Sequence, residues 1–203
     1  KVVRLWTDLV LPAEGTFRFD KFFADVRAAL KIRPNVVIAV SEGIRLADGS
    51  YVGEGTQSGA VDVFGHRYLA GTGKELELRV KEEIGCKVRS VELNILQRCA
   101  SHIASKTDLM ESVDVGKAAV KAAVNGDSGK MMTFTRVSPY HIKIDSEDIS
   151  AIANKIRHVP DEFINAEGNN VTDKCIDYLL PLIQGEPDLV WEAGIPKHFS
   201  FRK

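Results

Sequence analysis

The chain has 203 residues, 44% of them apolar and 27% charged, and its 27 lysines and arginines nearly cancel 28 aspartates and glutamates. That balance belongs to a globular protein able to bury a substantial core. With the basic residues dispersed, it excludes an extended nucleic-acid surface and a basic membrane-binding face.

Three cysteines, Cys86, Cys99 and Cys175, lack CxxC spacing and fit a reducing, cytoplasmic setting better than a disulfide scaffold. No run reaches the about 18 apolar residues of a membrane span, and no charged-then-apolar leader precedes the first strand pattern. The chain opens at Lys1 directly before "LWTDLVLP", and a segment upstream of it is expected.

Strand and helix patterns alternate, which predicts a single α/β domain over residues 1–203. The expected fold is layered and Rossmann-like, with a mainly parallel sheet and helices on both faces. "TDLVLP" reads as a short buried strand closed by Pro12. "FDKFFADVRAALK" places Phe22, Phe23, Val26 and Leu30 on one helical face, with Asp20 as its N-cap. "NVVIAV", residues 35–40, is the continuous apolar run of a strand covered on both faces. Residues 44–72 are glycine-rich without periodicity and read as a long loop.

A helix is expected from Lys74 to Ile84, closed by a left-handed Gly85. "CKVRSVELNI" follows as a strand whose Val91, Leu93 and Ile95 alternate. Asp108 and Glu111 have capping-box spacing ahead of a stripe of Leu109, Val113, Gly116, Val120 and Val124. "KMMTFTR" returns as a strand, "DSEDISAIANKIR" as a helix, and "NVTDKCIDYLLPLIQG" as a helix kinked or ended near Pro181.

Several motifs favour structural readings. "GTGK" at 71–74 lacks the upstream glycine of a phosphate loop, since residue 68 is Tyr, and Glu75 follows where Ser or Thr is needed. A glycine turn opening a helix suits it better, with amides able to face an anion. His66, His102, His141, His158 and His198 have no metal-ligand spacing, so no metal site is expected. Cys99 near His102 lacks the orienting partner of a thiol nucleophile.

Glu42 lies at the carboxyl end of the 35–40 strand, where open α/β sheets bind ligands. It either accepts hydrogen bonds from sugar hydroxyls or caps a neighbouring helix. Arg98 ends the next strand, and its planar fork matches the oxygens of a phosphate. Alone it reads as a surface charge; together, the two suit a sugar phosphate. Arg89 precedes Arg98 by nine residues, roughly 25–30 Å along an extended strand. If it also binds phosphate, it reaches a neighbouring subunit's site, which implies an oligomer.

"VVIAVSEG", "FGHRYLAGTGKELELRVKEEIGCKVRSVELNILQRCASHIASKTD" and "GKMMTFTR" resemble the carboxyl-terminal half of the 6-phosphofructokinases. The "LQR" segment and "INAEGNNVTDKCIDYLLPLIQGE" are most similar to the diphosphate-dependent branch. The resemblance runs from about Thr7 to Pro187. It implies a fructose 6-phosphate-binding lobe of a glycolytic phosphotransferase, with an amino-terminal donor-binding lobe as its missing partner. Glu42 resembles the glutamate that contacts the sugar hydroxyls, and Arg98 the arginine that binds the 6-phosphate. Arg89 resembles the arginine given across the subunit interface of a homo-oligomer. Ile95 stands where the family often has histidine or tyrosine.

The family's donor glycine loops, its "TIDND"-type loop with the base aspartate and its "MGR" motif do not occur in these 203 residues. That aspartate takes the proton from the sugar hydroxyl, and Mg²⁺ neutralises the transferring phosphoryl in the intact enzyme. The chain alone is therefore expected to contain no catalytic residue, to hold no cofactor and to be inactive. A non-catalytic regulatory subunit that kept the sugar-phosphate pocket is the second reading, and an unrelated α/β interaction domain the third.

Overall fold

The computed structural model describes residues 7–54, 71–138, 140–197 and 200. The chain divides into two compact units, Lys1–Asn94 with His158–Ile176, and Ile95–Arg157 with Asp177–Lys203. This is a finer division than the single domain read from the sequence.

In the first unit, β1 (Leu9–Leu11) and β2 (Ile38–Val40) pair in parallel, with Leu9 opposite Ile38 and Leu11 opposite Val40. A parallel pair needs a crossover, and α1 (Phe19–Ile32) supplies it. Phe22 and Val26 of α1 are buried, and the Phe17 and Phe19 rings meet edge-on at 5.2 Å. Asp20, expected as the N-cap, is instead in the first turn. Arg18 holds the cap position in an extended conformation and takes the Asp20 carboxylate at 2.6 Å. That pairing holds the Asp20 carboxyl below its ordinary range, so Asp20 serves the helix as a charge rather than a cap.

The expected loop at 44–72 carries part of the core. Arg45 bridges Tyr51 in antiparallel fashion, and the Val52 amide donates to the Ile44 carbonyl at 3.1 Å. This narrow hairpin turns Ile44 and Val52 inward, where they are 2% and 1% exposed. Residues 55–70, the remainder of that loop, lie outside the described residues. α2 (Thr72–Ile84) begins two residues before the predicted start and ends at Gly85 with φ 74°, as the cap pattern requires. Its Leu76 and Val80 join Leu9, Leu11, Phe22, Val26, Ile44 and Val52 in one core, each large side chain contributing about 1.5–3 kcal/mol of burial.

"INAEGNNVT" completes this unit. Asn165 Oδ1 accepts from the amides of Asn169 and Asn170, both at 3.0 Å, an Asx-built turn. The Val10 amide donates to the Asn169 carbonyl at 2.9 Å, so the turn covers the edge of β1 that β2 leaves open.

The predicted strand "CKVRSVELNI" forms no ladder among the described residues. Side chains of other segments take its polar groups instead, and Asn94 turns the chain with φ 41°. Val91, Leu93 and Ile95 are accordingly 76%, 55% and 67% exposed rather than alternately buried.

In the second unit, a helical turn α3 (Leu96–Cys99) precedes α4 (Lys106–Val124). A helix leaves its first four amides without internal partners, and three of those at the start of α4 find partners outside the ladder. Lys106 and Thr107 donate to the carbonyls of Gly185 and Gln184, and Asp108 donates to Ser105 Oγ at 3.1 Å. Leu109 donates to the Ser105 carbonyl. Ser105, not the predicted acidic pair, is the N-cap. Gly185 is required there: φ is 76°, and a Cβ would meet the Lys106 Cβ at 2.9 Å.

β3 (Lys130–Val137) and β4 (His141–Asp148) pair antiparallel across eight residues, Lys130 opposite Asp148 through Val137 opposite His141. The helix expected over 145–157 is therefore confined to α5 (Ile149–Ile152), because pairing with β3 holds the chain extended through Asp148. α6 (Asp173–Leu179) carries the chain from the first unit into the second and gives way to a 3₁₀ turn containing Pro181, as expected. A last antiparallel pair joins β5 (Trp191–Glu192) to β6 (Ile195–Pro196).

Candidate functional site

Glu42 sits in the turn Ser41–Gly43 that follows β2, and its side chain is exposed. The turn is fixed from beneath. Ser41 Oγ accepts from the Gly43 amide at 3.3 Å, and the Thr72 hydroxyl reaches the Glu42 carbonyl at 3.3 Å and the Val52 carbonyl at 3.0 Å. Thr72 is 2% exposed. The "GTGK" segment thus opens α2 as expected, and its threonine faces the Glu42 turn.

The anion at this helix start is a protein carboxylate. Glu92 Oε1 accepts from the Gly71 amide at 3.1 Å, where a loop-bound phosphate would otherwise sit. Lys74 does not point at a ligand either; its Nζ pairs with Glu77 at 2.7 Å. Glu77 in turn accepts from the Ser90 amide at 2.9 Å and the Ser90 hydroxyl at 2.6 Å. Lys74 and Ser90 together lower the Glu77 carboxyl from 4.5 to about 2. Ser90 and Glu92 face α2, while Arg89, directly before them, is exposed.

Arg98 lies within the turn α3, not at a strand end, and is exposed. Its amide donates to the Ile95 carbonyl at 3.0 Å. Glu42 and Arg89 belong to the first unit; Arg98 and Ile95 belong to the second. Cys99 is exposed, and all three cysteines are free thiols. Burial raises the Cys175 thiol above its ordinary value. Among the described residues no group of three or more His, Cys, Asp or Glu is placed to hold a metal. No described helix is long and apolar enough to cross a membrane.

Sequence reasoning missed Thr72, Glu77 and Glu92. A polar residue next to two glycines at a helix start was the available signal for Thr72. Nothing in the local sequence marks the two glutamates, whose partners lie 13 and 21 residues away.

No protein-family model matches the chain. It is 37% identical over 191 residues to the pyrophosphate–fructose 6-phosphate 1-phosphotransferase of Halomonas elongata, covering 93% of this chain and 45% of that protein. The enzyme of the same name from Methylococcus capsulatus is 38% identical over 194 residues, covering 95% and 46%. The crystal structure of a pyrophosphate-dependent phosphofructokinase from Nitrosospira multiformis superposes with a TM-score of 0.78 at 33% identity, covering 94% of this chain and 44% of that one. The chain is a relative of the pyrophosphate-dependent phosphofructokinases.

The likeness to the phosphofructokinases extends over nearly the whole chain and carries the α/β fold class with it. The chain spans about half the length of the curated phosphofructokinase relatives it matches.

Proposed function

We propose that the chain is the fructose 6-phosphate-binding part of a phosphofructokinase, which transfers a phosphoryl group from pyrophosphate to the sugar's 1-hydroxyl. The observation that carries this reading is 37% and 38% identity to two enzymes named for that reaction, over at least 93% of the chain. A non-catalytic regulatory subunit is less favoured, because those relatives are named as phosphotransferases.

In this reading Arg98 holds the 6-phosphate through its planar fork. Arg89 holds the 6-phosphate of a neighbouring subunit in a homo-oligomer. Glu42 accepts hydrogen bonds from the sugar ring and orients it. Exposure of all three side chains suits contact with a ligand that arrives from solvent. Proton abstraction from the 1-hydroxyl needs a base that this chain is not proposed to provide, so the polypeptide alone is inactive. Mg²⁺ belongs to the intact enzyme; the described residues offer no donor set for it, and no step on this chain runs through it. The β1–β2 pair with its α1 crossover is the nucleus of a mainly parallel, helix-covered sheet, and the setting is cytoplasmic.

The test is calorimetric titration of fructose 6-phosphate into wild-type protein and Arg98→Ala. Loss of the guanidinium is expected to cost on the order of 2–4 kcal/mol of binding. Unchanged affinity would remove Arg98 from the site. Phosphoryl transfer by the 203-residue polypeptide alone would refute the fragment reading.

A further inference from the structure

We propose that Thr72 is a positioning residue for Glu42, and that the start of α2 is a common frame for the two first-unit segments that present Glu42 and Arg89. This rests on the sugar-phosphate reading above and deepens it.

Thr72 is the one buried polar side chain among the described residues, at 2% exposure. A buried hydroxyl is costly unless it is hydrogen-bonded. Its single proton is shared between the carbonyls of Val52 and Glu42, at 3.0 and 3.3 Å. The peptide carrying the Glu42 carboxylate is thereby tied to the helix start. The residue after Val52 packs closely on the same helix start, since a Cβ at Gly53 would stand 3.0 Å from backbone atoms of Gly71 and Thr72. The hairpin strand that holds Val52 therefore cannot retreat without disturbing Thr72.

The Arg89 segment meets the same helix start. Glu92 takes the Gly71 amide, and a Cβ on Gly73 would lie 3.4 Å from the Ser90 Cβ and 3.5 Å from the Glu92 Cγ. Glu77 binds the Ser90 amide and hydroxyl. With residues 90 and 92 turned to α2, Arg89 is presented outward. Two loops with no strand ladder between them thus share one rigid reference.

The experiment uses the full-length protein and two probes, fructose 6-phosphate and inorganic phosphate, each titrated calorimetrically. Thr72→Val removes the hydroxyl at constant volume; Thr72→Ala repeats the test should valine prevent folding. Either is expected to weaken fructose 6-phosphate about five-fold, the worth of one modest hydrogen bond. Inorganic phosphate affinity should not change, because Glu42 faces sugar hydroxyls only. Thr72→Ser should restore the wild-type value. Glu77→Gln, acting through Arg89, should weaken both probes together. If Thr72→Val weakens both probes in step with lost thermal stability, the residue is merely structural and the proposal is overturned. It is equally overturned if Thr72→Val changes nothing while Glu42→Gln weakens the sugar phosphate. If Glu42→Gln, Arg89→Ala and Arg98→Ala are all without effect, the functional reading itself fails.

Discussion

The two units of the chain are held together by different forces. The first has a core in which Phe22, Val26, Ile44, Val52, Leu76 and Val80 are each at most 6% exposed. The second has no buried side chain among its described residues. In its place stands a polar cluster. The Arg136 guanidinium lies between the rings of Tyr140 and Tyr178, 4.6 Å from each centroid, and donates to the Tyr178 carbonyl at 2.6 Å. The Tyr140 hydroxyl donates to Glu111 at 2.6 Å, linking β4's approach to α4. Meanwhile Val120 and Val124, on the stripe with the stronger apolar signal, are 65% and 81% exposed. Burial is therefore the currency of stability in one unit, and directional contacts hold the other.

The difference can be broken or sharpened by substitution. The largest effect is expected for Phe22→Ala, which should cost about 3–5 kcal/mol through the cavity left in the first unit. Urea denaturation measures it, and a cost below about 1 kcal/mol would dissolve the contrast. Tyr140→Phe should cost about 1 kcal/mol, the net worth of one hydrogen bond. Burial and the Glu111 carboxylate raise the Tyr140 phenol from 10.0 to about 12. A folded-state value above the unfolded one means this contribution is whole below pH 10 and disappears as pH rises through about 12. Ultraviolet titration of the phenolate should show one tyrosine ionising late, and Tyr140→Phe should abolish it. The smallest effect is expected for Val120→Ser, within about 0.5 kcal/mol, because little apolar area is removed from water there. A cost matching that of Phe22→Ala would mean that this stripe is covered in solution.

What the sequence revealed follows the same division. α1, α2 and β1 were legible because their apolar spacing matches the faces they bury. The 44–54 hairpin was hidden because only Ile44 and Val52 point inward, too few for a periodic signal. On α4 the pattern misled: the half-buried residues are Thr107, Glu111, Val115, Ala118 and Ala122, while the predicted stripe of Leu109, Val113, Gly116, Val120 and Val124 stays exposed. "CKVRSVELNI" has strand propensity, yet propensity without a ladder partner leaves the segment to side-chain clamps. At the site, Glu42 was placed correctly after its strand, whereas Arg98 moved from a strand end to a helical turn once that strand did not form. Thr72 and Glu77 act through contacts across 13 to 30 residues, which no local pattern encodes.

The Asn165 turn has a consequence for how the first unit is made. Its carbonyl partner for Val10 comes 159 residues later in the chain, after the whole of the stretch 95–157. During synthesis, β1 and β2 can pair early, but the open edge of β1 must wait until Asn169 has emerged. Contacts of such long span slow folding and leave strand edges open to wrong partners. A polypeptide grown only as far as residue 157 would thus display a half-finished first unit, with "INAEGNNVT" as the last piece to close it.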